Sequence, residues 1–198
     1  MGFSVFLNTS AKKMPFYSSF KRFHKNNKGV AAVEFALILP VMLTMYLGMV
    51  EVTQGININR KITLLSRTLA DLTAQNSTLT NTKKDQIFAA ATQVLSPYST
   101  TGVKMLVVSA YVRSNSTVQV CWGEAQGGLA VPTSITLPAG LIIPSTSIII
   151  ATAEIPYTPA AKLISASYTL NEVTYMRPRY AAQVTRDSSG TLLSCPAT

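Results

Sequence analysis

Lys28-Gly29-Val30-Ala31-Ala32-Val33-Glu34-Phe35 opens an apolar run that lasts to Val50. Within it Glu34 is the only charge, and Pro40, Thr44 and Gly48 are the other interruptions of the hydrocarbon. An α-helix rising ~1.5 Å per residue needs ~20 apolar residues to cross a ~30 Å hydrocarbon core, and this run supplies that length. A buried helix of a soluble core is the competing reading, but such a helix keeps a polar face and this one keeps none. The run predicts a transmembrane helix over residues 30–50.

The charge around the run gives it a direction. The chain has 198 residues, 47% hydrophobic and 13% charged, with a net charge of +9. That is enough for one modest domain plus an anchor, and too apolar for disorder. Residues 1–29 contain Lys12, Lys13, Lys21, Arg22, Lys25 and Lys28 and no acid, so two-thirds of the excess charge precedes the span. This is the positive-inside pattern, with the N-terminus cytoplasmic and the C-terminal bulk across the membrane. A basic patch gripping phosphates is the lesser reading of these charges, and no nucleic-acid partner is expected. A secretory signal is disfavoured because Glu34 interrupts the run and only Thr53-Gln54-Gly55 resembles a small-x-small cleavage site after it.

Gly29-Val30-Ala31-Ala32-Val33-Glu34-Phe35-Ala36-Leu37-Ile38-Leu39-Pro40 resembles the N-terminal segment of the TadE-like family, pseudopilins of the tight-adherence (Flp-type) pilus machinery. Ala153-Glu154-Ile155-Pro156-Tyr157 and Met176-Arg177-Pro178-Arg179-Tyr180 resemble the family's C-terminal part more loosely. The resemblance implies a processing site between Gly29 and Val30, cut by a membrane prepilin peptidase. It also implies a pilin-like assembly motif at Glu34 and Phe35, with Glu34 fifth in the mature chain. Such a cut creates an α-amino group with a reference pKa near ~8, largely protonated at neutral pH. A carboxylate at the bilayer centre is unfavourable by roughly 2.5–3.5 kcal/mol on insertion scales, and a neighbouring subunit's new amine would offset that. The competing reading leaves Glu34 one turn inside, touching headgroup water.

Beyond the span, Ile58, Ile62, Leu65, Leu69 and Leu72 are spaced four, three, four, three, the seam of a helix packed lengthwise on a partner. That partner is either the domain's own sheet or another subunit. Gly55 is either a flexible joint or a tolerated glycine. Asn76-Ser77-Thr78 ends this stem. A second helix is expected over Thr82–Leu95, with Thr82 and Asp85 as a capping-box-like start, Ile87, Ala91 and Val94 as its stripe, and Ser96-Pro97 as its stop.

From Val103 the period becomes that of strands. Val103–Val112 is apolar on both faces, as a central strand would be. Thr117–Trp122 alternates, with Val118, Val120 and Trp122 on one face and Thr117, Gln119 and Cys121 on the other. A short strand is expected at Ile135–Leu137 between loops, and a strong one at Ser147–Ile155. Lys162–Thr169 is either helical or a connection, and Glu172–Arg177 and Tyr180–Val184 read as closing strands. Hairpin connections imply an antiparallel sheet with helices on one face.

The fold class expected is α+β: a basic cytoplasmic leader (1–29), a transmembrane helix (30–50), a helical stem (51–75) and a periplasmic head (76–198). No nucleophile–base pair, phosphate loop or metal spacing occurs, and the one histidine, His24, lies in the leader. No catalytic residue, metal, cofactor or small-molecule substrate is expected. Cys121 and Cys195, 74 positions apart and outside any CxxC, form a disulfide if the head faces an oxidising compartment, and are otherwise two free thiols. The resulting expectation is a minor pilin or pseudopilin in a bacterial inner membrane, partnered by a prepilin peptidase, other pilins and pilus assembly proteins. The runner-up is an uncleaved single-span protein whose periplasmic head binds a ligand or envelope partner.

Overall fold

A computed structural model describes residues 29–159 and 167–195, the Leu192 side chain apart. The basic leader before Gly29, with His24, and most of the 162–169 segment lie outside the described residues. In chain order come α1 (Val30–Ala74), β1 (Thr78–Leu79), α2 (Asn81–Gln93), β2 (Lys104–Val112), β3 (Val118–Gln126), a 3-10 turn (Ala139–Leu141), β4 (Thr146–Tyr157), β5 (Tyr168–Met176), β6 (Thr185–Ser188) and β7 (Thr191–Leu193). The chain divides into two units between Leu47 and Gly48, within α1.

The second unit is an α+β head. Its main sheet is antiparallel throughout, in the order β3-β2-β4-β5. β2 is central and buried from Met105 to Val112, as its two-faced apolar sequence requires. On one face Met105 and Val107 of β2 and Ile149, Ala151, Ala153 and Ile155 of β4 pack with α1 and α2. On the other, Leu106, Val108, Ala110, Val112, Ile148 and Ile150 form a second core, covered by Leu129, Ile135, Leu137, Leu141 and Ile142 of a long loop. The expected strand at Ile135–Leu137 is therefore not a strand: these residues cap the sheet's second face from irregular backbone.

The stem's seam faces its own sheet. Ile58, Ile62, Leu65 and Leu69 are each at most 2% exposed. Full burial of one such side chain contributes about 1.5–3 kcal/mol, so four of them rival the ~5–15 kcal/mol net stability of a whole domain. The stem is thus integral to the head. Ser66 adds a hydroxyl–hydroxyl bond of 2.8 Å to Thr174 on β5, and Lys61 Nζ donates to the carbonyls of Val94 and Ser96, closing the end of α2.

Local chemistry shifts several expected boundaries. The N-cap of α2 is Thr80, whose Oγ1 accepts from Lys83 N at 3.3 Å, and not Thr82. Its buried face is Ile87, Phe88 and Ala91, with Val94 beyond the helix. Tyr180–Val184 is not a strand either. Arg179 N bonds the Ala74 carbonyl, Val184 is buried, and the strand begins at Thr185, pairing parallel to β1 and antiparallel to β7.

The largest correction concerns β3. Ser109 lies opposite Trp122 but Ala110 opposite Val120, so Cys121 is an extra residue, a β-bulge. Val118 and Val120 face the loop-covered core, while Trp122 and Cys121 turn toward the helix-covered one. The simple alternation that put Val118, Val120 and Trp122 on one face fails at that residue.

Candidate functional site

The N-terminal part of α1 is built as a helix with no partner in its own unit. Residues 29–47 are all exposed, among them Leu37 at 72% and Phe35 at 63%. Thr44 turns its hydroxyl onto the Val41 carbonyl at 2.9 Å, so the span's one hydroxyl of this kind is satisfied locally. Pro40 sits inside the helix, where it removes one N–H donor. The helix is long and apolar enough to cross a membrane, and an exposed apolar surface of that extent marks an anchor or an interaction surface.

Glu34 and Val30 are four residues apart and lie one turn from each other on the same side of this helix. Among the described residues nothing pairs with Glu34. Gly29 directly precedes the helix, and a Cβ added to it would meet no atom within 4 Å. Its φ lies outside the left-handed region, so neither space nor backbone demands a glycine there.

A second cluster joins the end of the chain to β3. Cys121 and Cys195 are bonded, with an S–S distance of 2.02 Å and Cα atoms 4.9 Å apart. Beside them Trp122 Nε1 donates to the Val184 carbonyl at 2.7 Å, and Gln183 Nε2 donates to the Cys195 carbonyl at 3.1 Å. Arg186, 2% exposed, donates to Glu124 at 2.7 Å, to the carbonyls of Leu79 and Asp187, and to Asn81 Oδ1. A buried guanidinium is tolerated only when its donors are so engaged. This cluster pins β6, β1 and the start of α2 to the sheet. Its role is architectural, and only the two cysteines of it stand out in the sequence.

A third cluster sits where α1 enters the head. Glu51, 5% exposed, follows directly on the apolar run. Nearby, Tyr157 donates to Gln54 Oε1 at 3.4 Å and packs edge-on against Tyr168, with ring centroids 5.4 Å apart. Burial first, then Tyr168, Tyr98 and the Glu51 carboxylate, push the Tyr157 hydroxyl above its ordinary value. Glu51, Val52, Gly55, Ile56, Arg60 and Tyr168 line an open groove of about 500 Å³. Gly55 lies inside the unbroken α1, and a Cβ there would lie 3.0 Å from the Tyr168 hydroxyl oxygen. The sequence singled out neither Glu51 nor Tyr168, and Tyr157 only within the segment that resembles the family's C-terminal part; the one further signal was an acid immediately after the span.

Among the described residues no three His, Cys, Asp or Glu side chains gather to hold a metal.

An apolar N-terminal helix long enough to cross a membrane, followed by an α+β head with an antiparallel main sheet, is the build of a membrane-anchored protein. Within it, residues 29–71 match the family described as TadE-like protein. The match covers Gly29, Val30, Glu34, Phe35 and the seam as far as Asp71, and stops before α2 and the sheet. The family points to the tight-adherence pilus systems and to membrane association. No curated protein and no solved structure shows significant similarity to the chain.

Proposed function

We propose that this chain is a minor pilin or pseudopilin-like structural subunit of tight-adherence (Flp-type) pilus biogenesis, assembling through the first part of α1. One observation carries the reading. Residues 29–47 are exposed on every side, lie within the TadE-like match, and hold a single carboxylate one turn from the implied new N-terminus at Val30. An all-apolar surface is at home in lipid or against other such helices, and a charge at one depth gives those helices an axial register. The basic leader supports a cytoplasmic N-terminus and a periplasmic head. The absence of any fold requirement for glycine at position 29 supports selection by a prepilin peptidase. The role is structural, without catalysis, cofactor or small-molecule substrate, and the partners are the peptidase and other pilus subunits.

Two measurements test this. Intact mass of the membrane-extracted protein should correspond to a chain beginning at Val30, and Gly29→Leu should leave only full-length protein. An uncut chain in a host with an active peptidase would favour a permanently anchored single-span protein. Glu34→Ala should still insert and still be cut, yet lose most cross-linking to pilus subunits in intact membranes, with Glu34→Asp in between. Wild-type cross-linking for Glu34→Ala would reduce Glu34 to a headgroup contact.

A further inference from the structure

We propose that the groove where α1 enters the head is a seat for phospholipid headgroups, in which Val52, Ile56 and Tyr168 enter the interfacial layer of the bilayer and Arg60 holds a lipid phosphate. The inference rests on the membrane-anchored reading, but on neither processing nor pilus assembly.

Position comes first. The apolar run ends at Val50, and α1 continues without a break through the groove residues. At ~1.5 Å per residue, Val52, Ile56 and Arg60 lie roughly 3, 9 and 15 Å past Val50 along the axis. The polar layer on each side of the hydrocarbon core is about 5–8 Å thick. Helical side chains lean toward the helix N-terminus, which here is the membrane side. Ile56 therefore reaches back into the layer, and the long stem of Arg60 brings its guanidinium down to phosphate depth.

Composition comes second. Val52 and Ile56 are 51% and 50% exposed, and Tyr168 is 39% exposed. Isolated apolar residues on a head facing water need no explanation, but here two of them, a tyrosine and an arginine line one concavity next to a span. Tyrosine is enriched at both membrane–water interfaces, with its ring at headgroup level, and a long basic side chain can snorkel to the same depth. Of the two charged side chains that line the groove among the described residues, Glu51 is buried and Arg60 is exposed. The adjacent Lys61 is spent on the carbonyls of Val94 and Ser96, whereas Arg60 is exposed.

Construction comes third. The phenol of Tyr168 lies against α1 at Gly55, where an added Cβ would stand 3.0 Å from its oxygen, and Tyr157 buttresses its ring edge-on. The aromatic group is held in place on the helix face that emerges from the lipid, and is not a loose surface side chain.

The test uses the full-length chain reconstituted in phosphatidylethanolamine–phosphatidylglycerol liposomes, with p-benzoylphenylalanine at position 56. Position 180 serves as the distal control, since Tyr180 is 77% exposed and follows Arg179, which is bonded to the far end of α1 at Ala74. Photolysis should add one phospholipid mass at position 56 and none at position 180. Arg60→Gln should lower the adduct yield by about fivefold, the effect of one basic charge at a headgroup surface, while Arg67→Gln should not change it. Equal yields at the two positions, cross-links to a second copy in place of lipid, or no effect of Arg60→Gln would overturn the proposal. A chain that resists alkaline carbonate extraction yet gives no lipid adduct overturns this inference alone. A chain that is extracted overturns the anchored reading with it.

Discussion

The first and last stretches of α1 are both rich in leucine, isoleucine and alanine, yet meet opposite ends. Residues 30–47 are exposed all round. In the last stretch Ile58, Ile62, Leu65 and Leu69 are buried against the sheet, while Asn59, Arg60 and Arg67 face outward. What separates them is periodicity more than hydrophobicity. A stripe every three or four residues is matched by one flat surface, here the sheet. A helix apolar on every side has no such complement within a small head, and its solvent must be lipid or other helices.

The sharpest way to break this comparison is to truncate one leucine from each end. Leu65→Ala should lower the stability of the head by about 2–5 kcal/mol, the range for a buried leucine that leaves a cavity. Leu37→Ala should change it by no more than ~0.5 kcal/mol. Denaturant unfolding of the full chain in detergent, followed by Trp122 fluorescence, measures both. Equal effects would mean that the exposed stretch also folds onto the head.

Removing the disulfide by Cys121→Ser with Cys195→Ser comes next. The bond closes a loop of 74 positions, so its loss should lower stability by up to about 4 kcal/mol in the chain-entropy model. Hydrogen exchange should rise at β6 and β7 and stay unchanged at residues 30–47. Faster exchange in the span would show that the two stretches are coupled.

The smallest effect is that of alkaline pH on the head. The Tyr157 hydroxyl is raised above the usual tyrosine value, so folding favours its neutral form. That contribution is complete below the unfolded pKa of ~10 and is lost as pH rises through the higher folded value. Thermal melts of wild type should fall more steeply above about pH 10 than those of Tyr157→Phe. Parallel curves would remove Tyr157 as the cause.

The elements with a clean period were legible. The apolar run, the stem's seam, the central strand β2 and the strong strand β4 all follow from spacing alone. The bulge at Cys121 was not, because one extra residue leaves no mark in an alternating sequence until a partner strand is present to count against. The covering role of Leu129–Ile142 was hidden for a related reason: irregular backbone has no period, and its leucines and isoleucines make sense only beneath the sheet they cover. The cap was expected at Thr82 but is Thr80, which directly follows the buried Leu79 of β1. For the candidate site, Gly29, Val30, Glu34 and Phe35 could be named in advance because a local motif carries them. The groove could not, since Tyr168 reaches Gly55 from 113 positions away.

The bulge also bears on which lengths of chain this fold can lose. A strand of strict alternation serves one core per face, but β3 uses residue 121 to change allegiance midway, with valines to one core and tryptophan to the other. Deleting Cys121 would remove half of the disulfide, and losing any other residue of β3 would swing the side chains beyond it to the wrong side of the sheet. The 129–142 loop, held by side chains and not by a hydrogen-bonded ladder, can absorb a residue more or less at its exposed points. Length variation in such heads should therefore gather in that loop and avoid β3.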